Sequence, residues 1–232
     1  MLAQRPLQDT LNDMVRRLEQ LNPEMLVSVL LVDKEQLHVI AAPSLPASYS
    51  AEFNGMPAQL GLGSCSHAAA SGELTIVDDL SQHPNWATFR EQTAQAGVRA
   101  CWSLPFKNDQ GEVLGVFGIY YRRVARPAAE DIALVTEFTR LAGLAVRQHQ
   151  RDAERLQSEL RFRATFEQAA VGIAHLSTEG HWLRVNQRLC QMLGYSREAL
   201  LELTFQDVTH PDDLSSDLEQ VNHLLAGDIS RY

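Results

Sequence analysis

Two stretches of this sequence decide its first fold: GLGSCSHAAASGELTIVDDLSQHPNW (residues 61–86) and GVRACWSLPFKNDQGEVLGVFGIYYRRVARP (residues 97–127). In the second stretch, VRACWSLPF (98–106) and EVLGVFGIYY (112–121) are rich in β-branched and aromatic residues and flank the polar turn KNDQG. This pattern predicts an antiparallel hairpin. In the first stretch, a short helix of small residues begins at Cys65, stops at a glycine and precedes the strand LTIV.

Upstream of these stretches the sequence predicts a helix and another hairpin. Apolar residues recur at steps of four and three in LQDTLNDMVRRLEQL (7–21), which is one helical seam. The apolar runs MLVSVLLV (25–32) and QLHVIAA (36–42) are joined by three polar residues, as in an antiparallel hairpin. The region rich in Pro, Ser and Gly that follows (43–64) has no sustained period, so we expect a surface loop of the kind that lines pockets.

Downstream, the pattern predicts a helix from Asn85 to Gly97 and a long helix from Pro127 that no proline interrupts. Apolar and small residues recur in the long helix at steps of four and three, a register able to form a parallel two-helix seam. The recurring positions are Val135, Thr139, Ala142, Val146, His149, Ala153, Leu156 and Leu160. We expect a homodimer through these helices, and the alternative is a solvated linker helix.

These elements define an α+β fold. Helix, hairpin, short helices in loops, hairpin and helix follow one another, which is typical of one antiparallel sheet with helices segregated around it.

Composition excludes several function classes. The chain has 232 residues, 45% hydrophobic and 21% charged, which are ordinary globular values. Its net charge of −9 repels phosphate backbones and anionic lipid, so we expect no nucleic-acid partner. Three cysteines without close spacing and no apolar segment of membrane-spanning length indicate a cytoplasmic protein without membrane contact.

Residues about 1–150 resemble a GAF domain of bacterial multidomain sensors. The resemblance rests on the Gly-x-Gly-Ser-Cys turn into the small-residue helix, the Val-Asp-Asp strand end, the Arg-Ala-Cys-Trp-Ser strand and the glycine-broken last strand. It implies a GAF-type antiparallel sheet with flanking helices.

After the long helix, RATFEQAAVGIAHLSTEGHWLRVNQRLCQMLGYSREALLELTFQDVTHPDDL (163–214) resembles the first half of a PAS domain. A short hairpin fits this, with Asn186 and Ser196 as helix N-caps. The resemblance implies a partial PAS-type α/β domain whose second half of the sheet is missing. Because two strands are marginal alone, we expect a piece of a longer protein. The expected domains are a GAF domain (1–149), a helical signalling linker (150–161) and a partial PAS domain (162–232).

The resemblance implies a sensory module that binds a small ligand or partner and signals through the helix to an absent output domain. A cyclic-di-GMP cyclase or phosphodiesterase is the favoured output, and a histidine kinase is next. The chain itself is expected not to be an enzyme, because it has no phosphate-cradling or kinase motif. The ligand and any cofactor stay unidentified, and an absorbance spectrum would test haem, flavin and bilin together. The alternative is a ligand-free dimerisation module.

Three candidate site residues lie at the turn into the small-residue helix. The free N–H groups of that helix start could hold an anion, or Ser64 could simply cap the helix. Cys65 would have its thiolate stabilised there, with His67 nearby, or it could be a small buried hydrophobe.

Cys65 also matches, by position, a cysteine of the free methionine sulfoxide reductases, which are GAF-fold enzymes. Those enzymes need a second cysteine in the loop before the strand, whereas Cys101 lies inside the strand. The departure argues against that enzyme.

Three more candidates complete the expected GAF pocket. Arg99 could pair a ligand carboxylate or phosphate, or form a structural ion pair with Asp78 or Asp79. Trp86 and Trp102 could stack on a flat ligand or fill core. The histidines lack metal-binding spacing, so no metal site is expected.

Overall fold

The computed structural model describes residues 5–231, and these divide into two compact units. The first unit extends to Asp152 and the second begins at Ala153. Helices and antiparallel strands are mixed in the chain, which confirms the α+β prediction.

A six-stranded antiparallel sheet forms the centre of the first unit. Its strands are β1 (Leu26–Asp33), β2 (Gln36–Ala41), β3 (Met56–Pro57), β4 (Thr75–Val77), β5 (Ala100–Lys107) and β6 (Val113–Tyr121). They lie in the order β3-β2-β1-β6-β5-β4. Both predicted hairpins form, since β1 pairs with β2 and β5 pairs with β6. The pairing of β1 with β6 joins the two hairpins into one sheet.

Helices cover both faces of this sheet. They are α1 (Leu7–Leu21), α2 (Ala47–Glu52), α3 (Cys65–Ser71), a 3₁₀-helix (Pro84–Phe89), α4 (Arg90–Ala96) and α5 (Ala129–Gln168). The region expected to be an irregular loop contains α2 and β3, so that expectation was wrong in part. The turn of α2 holds because Tyr49 and Phe53, four residues apart, are both buried in the first unit.

The main core lies between the sheet and helices α1 and α5. Alternation along each strand sends every second side chain to this face, including Val27, Phe117 and Ile119. Helix α1 contributes Leu11, Val15 and Leu18 to it, and α5 contributes Val135, Ala142 and Val146. The opposite face of the sheet carries the candidate site.

Part of the expected dimer seam belongs to this core instead. Val135 and Ala142 are fully buried, and Thr139 is 6% exposed. Apolar residues at steps of four and three are also typical of a helix that packs on a sheet, and in the first unit they pack in this way. Farther along α5, Leu156 and Leu160 are exposed by 54% and 58%.

The second unit pairs a short hairpin with helices. Its elements are β7 (Ala174–Leu176), β8 (Trp182–Val185), α6 (Gln187–Leu193), α7 (Arg197–Leu201), α8 (Phe205–Val208) and α9 (Pro211–Ala226). The side chains of Asn186 and Ser196 accept hydrogen bonds from Leu189 and Ala199 N–H, which confirms both predicted N-caps. Helix α5 runs for 40 residues and is continuous across the boundary between the units.

Candidate functional site

A small cavity lies on the face of the first sheet opposite α1 and α5. Its volume is about 20 Å³, which is room for about one water molecule. The lining is mostly apolar and aromatic and holds no charged side chain. The lining residues are Leu30, Leu37, Phe53, Met56, Gly63, Ser64, Cys65, Ser66, Trp86 and Tyr120.

Strand alternation places polar groups beside this cavity. Cys101 and Ser103 lie two residues apart in β5 and therefore point to the same face, whereas Trp102 between them points to the main core. Cys101 is paired with Tyr120 of β6, so the thiol and the phenol sit on adjacent strands. Glycines 61 and 63, with φ of 79° and 57°, turn the chain so that α3 begins directly over these groups.

Thiols and hydroxyls form a connected polar cluster there. The Oγ of Ser64 lies 2.9 Å from the Sγ of Cys101. The Sγ of Cys65 lies 3.1 Å from the Oγ of Ser103 and 3.8 Å from the hydroxyl of Tyr120. The side chain of Ser64 therefore contacts β5, and it makes no capping hydrogen bond to α3.

Gly118 of β6 leaves the space that this cluster occupies. A Cβ at Gly118 would lie 2.8 Å from the Sγ of Cys65, the Oγ of Ser28 and the hydroxyl of Tyr120 alike. The hydroxyls of Ser28 and Tyr120 are themselves 3.2 Å apart. The glycine is therefore required by close approach of side chains.

The two thiols differ in acidity. The pKa of Cys65 is lowered, chiefly by its hydrogen bond with Cys101, and the hydroxyl of Ser103 acts in the same direction against the effect of burial. Burial raises the pKa of Cys101 well above its ordinary value, and the hydrogen bond with Cys65 adds to this. Burial also raises the pKa values of Tyr49 and Tyr120, which keeps both phenols protonated.

Five aromatic rings wall the cavity side of the unit. The rings of Tyr49 and Phe53 are 4.6 Å apart between centroids, Phe53 lies 5.9 Å from Trp86, and Tyr49 lies 5.7 Å from Tyr120. Phe89 joins them 5.0 Å from Phe53. Two buried donors in this wall, the Nε1 of Trp86 and the hydroxyl of Tyr49, have no hydrogen-bond partner within the described residues.

Three of the six predicted site residues line the cavity: Ser64, Cys65 and Trp86. His67 is outside the lining, and its Nδ1 accepts a hydrogen bond of 3.0 Å from the N–H of Gly61. It therefore holds the turn that precedes α3.

Arg99 and Trp102 lie away from the cavity. Arg99 precedes β5 and is exposed, and its charge helps to lower the pKa of Asp79 after the hydrogen bonds from Ser81. Trp102 is buried in the main core, where its Nε1 donates to the hydroxyl of Tyr121 at 3.3 Å. Because neighbouring residues of a strand face opposite sides, Trp102 is excluded from the face that Cys101 occupies.

Tyr120, Ser103 and Ser28 were not among the predicted site residues. The sequence signal for such residues is a hydroxyl-bearing side chain within an otherwise apolar strand. Ser28 interrupts LVSVLL in this way, and Ser103 does so two residues after Cys101. Polar side chains that share one face of adjacent strands indicate a buried polar cluster.

The second unit has an open recess of about 480 Å³ beside the end of α5. Its lining includes Phe166 and Glu167 of α5, Arg184 of β8 and Arg197 of α7. Within residues 5–231, no three His, Cys, Asp or Glu side chains cluster closely enough to hold a metal ion. No helix in the same range combines the length and apolarity needed to cross a bilayer.

Comparison with known proteins identifies both units. A family model described as GAF domain matches residues 4–147, more than half of the chain, and one described as PAS fold matches residues 183–232. The GAF domain of a phosphoenolpyruvate-protein phosphotransferase from Coxiella burnetii is similar in fold, with a TM-score of 0.56 and 18% identity over 66% of this chain and 89% of that one.

Two relatives in curated collections are larger proteins. The methyl sulfide methyltransferase-associated sensor of Methanosarcina acetivorans is 32% identical over 95% of this chain and 22% of its own length. The Escherichia coli K12 protein named "Probable diguanylate cyclase DgcE" is 51% identical over 33% of this chain and 7% of its own length. The chain thus spans about a fifth or less of these relatives. It belongs to the GAF domain family, with a PAS-fold segment after the GAF domain, as in sensory regions of signalling proteins.

Proposed function

We propose that this chain is a sensory and regulatory module whose GAF domain binds a small ligand at the cavity beside Trp86 and Tyr120. Helix α5 then transmits the conformational change caused by binding to the PAS segment and to an output domain of a longer cytoplasmic protein. The working division is a GAF domain at 1–149, a helical signalling linker at 150–161 and a partial PAS domain at 162–232. A cyclic-di-GMP cyclase or phosphodiesterase is our favoured output, with a histidine kinase next.

The observation that carries ligand binding is an unpartnered buried donor on a residue that lines the cavity. A buried donor without a partner costs about 1–3 kcal/mol, so an acceptor atom brought in by a ligand gains that energy back. The Nε1 of Trp86 is such a donor, and the hydroxyl of Tyr49, whose ring contacts that of Tyr120, is a second one outside the cavity lining. Since no charged side chain lines the cavity, the ligand class we propose is a small neutral molecule with a hydrogen-bond acceptor.

The size of the cavity sets the mechanism. A volume of about 20 Å³ holds little more than one water molecule, so a larger ligand requires the covering elements to move. Phe53 at the end of α2 and Trp86 of the 3₁₀-helix are those covers. Binding then selects the more open packing, and the free-energy difference between the two packings limits the size of the signal.

Strand β6 supplies a physical path from the cavity to α5. Tyr120 faces the cavity, and the next residue, Tyr121, faces the main core. The hydroxyl of Tyr121 donates to Asp131 of α5 at 3.3 Å, and Asn22 donates to the same carboxylate at 2.9 Å. A displacement of β6 at Tyr120 therefore reaches the start of α5 within one residue.

Helix α5 is held by polar contacts in each of the two units. In the first unit, the guanidinium of Arg147 donates to the carbonyl of Lys107 at 3.3 Å. In the second unit, Glu167 pairs with Arg197 at 2.8 Å and accepts a hydrogen bond from the N–H of Gln187 at 3.1 Å. A helix anchored in this way transmits rotation or translation, which supports the linker role that we propose.

A second candidate function, a ligand-free dimerisation module, is favoured by the same small cavity. Side chains already fill most of the space on this face of the sheet. In that case Leu156 and Leu160, which are exposed on α5, would pair with a second copy and shape alone would carry the signal.

Thermal-shift measurements on a panel of small neutral metabolites distinguish the two functions. We expect at least one compound to raise the melting temperature of the wild type. Trp86→Phe should lose this rise in melting temperature. The matched control Trp102→Phe, whose indole lies in the other core, should keep it. Trp86→Phe keeps the aromatic packing and removes the N–H. If no compound shifts the wild type and none co-purifies with it, the ligand-free module is the better account.

A further inference from the structure

Two cysteines from different elements meet beside the cavity. Ser64 and Cys65 at the start of α3 interdigitate with Cys101 and Ser103 of β5, so that Ser64 contacts Cys101 at 2.9 Å and Cys65 contacts Ser103 at 3.1 Å. The thiol of Cys65 lies beside Cys101, because its neighbours Ser103 and Tyr120 are the next residue on the same face of β5 and the residue of β6 that pairs with Cys101. A disulfide requires Cα atoms within about 7 Å of each other, so its formation would measure how closely α3 and β5 approach at this point.

We propose that Cys65 and Cys101 are a modification site at which a hydroperoxide oxidises Cys65 and the pair then closes to a disulfide. The site shares its cavity with the ligand proposed above, and oxidation of the protein in the absence of any ligand distinguishes the two proposals.

Cys65 is the reacting thiol because it is reachable and its thiolate is stabilised. It lines the cavity and is partly exposed. The hydroxyls of Ser103 and Tyr120 lie 3.1 and 3.8 Å from its Sγ, and both can donate to a thiolate. The lowered pKa of Cys65 agrees with this geometry. The thiolate is the form of cysteine that attacks peroxide.

Cys101 is the partner that resolves the oxidised sulfur. It is 1% exposed, so an oxidant in solution does not reach it directly. Its thiol stays protonated, as its raised pKa indicates, until Cys65 has reacted and the proton can leave with the departing oxygen. Thiols placed next to a reactive cysteine in this way convert a sulfenic acid into a disulfide.

The cavity selects the class of oxidant by size. A volume of about 20 Å³ holds about one water molecule, so hydrogen peroxide, with only two oxygen atoms, requires the least opening of the cavity, and bulky disulfides such as oxidised glutathione require far more. Apolar and aromatic residues line the rest of the cavity, so a small uncharged oxidant is the one favoured there.

The two steps balance in atoms and electrons. The thiolate of Cys65 attacks one oxygen of hydrogen peroxide, the O–O bond breaks, and the products are Cys65 sulfenic acid and hydroxide, which takes up the thiol proton as water. The sulfur of Cys101 then attacks the sulfur of Cys65, the S–O bond breaks, and a second water leaves with the Cys101 proton. The thiol pair loses two electrons, and one peroxide is reduced to two waters.

The disulfide would replace the contacts of Cys65 with Ser103 and of Cys101 with Ser64. It would tie α3 to β5 and reshape the cavity wall at Ser64 and Cys65. Oxidation would therefore change the same face of the sheet on which Tyr120 and β6 lie.

The test is a thiol titration of the folded 232-residue chain after exposure to hydrogen peroxide, followed by denaturation and peptide mapping. The chain has three cysteines, so we expect the titre to fall from three to one, with Cys65 and Cys101 in one disulfide-linked peptide pair. Dithiothreitol should restore all three thiols. An unchanged titre, a linkage that includes Cys190, or irreversible oxidation without a link would overturn the proposal.

Three variants separate the roles of the cysteines. In Cys101→Ser, peroxide should leave a Cys65 sulfenic acid that dimedone traps. In Cys65→Ser, Cys101 should stay reduced because it is buried. The control Cys190→Ser, in the second unit, should lose both remaining thiols as the wild type does. Equal peroxide reactivity in Cys65→Ser and the wild type would contradict the assignment of Cys65.

Discussion

At the scale of single residues, two buried tryptophans on opposite faces of one sheet have opposite hydrogen-bonding states. The Nε1 of Trp102 donates to Tyr121, whereas that of Trp86 has no partner among the described residues. Both indoles are at most 2% exposed, so burial does not distinguish them. The difference follows from the surroundings of each indole, because Trp102 lies in a closed core and Trp86 borders a cavity.

This contrast predicts different costs for the same substitution. Trp102→Phe removes a buried hydrogen bond and leaves the hydroxyl of Tyr121 short of one donor, whereas Trp86→Phe removes a donor that has no partner. We expect Trp102→Phe to lower the free energy of unfolding by about 1–3 kcal/mol more than Trp86→Phe does. Urea denaturation of both variants measures the difference. Equal losses would show that the indole of Trp86 is as well satisfied as that of Trp102.

A glycine in β6 gives a second prediction at this scale. Gly118→Ala would press a methyl group against Cys65, Ser28 and Tyr120 at 2.8 Å, so we expect a loss of about 1–3 kcal/mol in the free energy of unfolding. The matched control is Gly143→Ala in α5, where the nearest atom is 3.7 Å away and helix propensity favours alanine by up to about 1 kcal/mol. A tolerated Gly118→Ala would contradict the close packing of the polar cluster.

At the scale of elements, the end of α5 is tied to the second unit by one buried side chain. Asn186 is fully buried, and its Oδ1 accepts from the N–H groups of Ile173 and Leu189. Its Nδ2 donates to the carbonyl of Phe166 in α5 at 2.9 Å and to that of Val171 at 3.0 Å. All four hydrogen-bonding positions of the amide are thus used, which makes Asn186 the junction of helix, hairpin and α6.

Replacement of Asn186 should therefore destabilise the second unit selectively. Asn186→Ala removes four hydrogen bonds worth about 1 kcal/mol each, so we expect a loss of roughly 3–4 kcal/mol there. Asn186→Asp would set a buried carboxylate oxygen against the carbonyl oxygens of Phe166 and Val171, so we expect it to lose at least as much as Asn186→Ala. Hydrogen exchange resolved along the chain measures this, with amides of the first unit as the internal control. A uniform loss of protection in both units would contradict the local role of Asn186.

Most elements were predictable because they depend on local pattern. Hairpins β1–β2 and β5–β6 follow from apolar runs around short polar turns, and α1 follows from its helical seam. Helix α2 was not predictable, because its six residues, ASYSAE, carry little periodicity and Tyr49 is the buried one among them. Contacts of Tyr49 with Tyr120 and of Phe53 with Trp86, which join distant parts of the chain, stabilise that turn.

The candidate site was predictable in part for the same reason. Ser64 and Cys65 were found because a glycine turn before a small-residue helix is a local signal. Tyr120 was missed because its role depends on the pairing of β6 with β5, a contact between distant strand positions. Arg99 does not line the pocket as predicted, because it precedes the first residue of β5 and is exposed in the structure.

At the scale of the whole molecule, the proposed signal depends on the register of α5. Inserting one alanine after Gln150 would rotate everything beyond it by about 100°. We expect ligand affinity of the GAF domain to stay unchanged and ligand-dependent output to be altered in a longer protein that carries an output domain. A seven-residue insertion, which returns to within about 20° of the original register, should largely preserve output and serves as the control. Identical effects of both insertions would argue against transmission by helix rotation.

The proposed signal requires α5 to be one continuous helix, and the distance between spin labels at Ala133 and Ala164 measures this continuity. Both positions are exposed on α5. A continuous helix places labels 31 residues apart at about 46 Å with a narrow distribution. We predict that narrow distribution. A broad distribution shifted toward about 30 Å, the span of a flexible chain of that length, would contradict the account.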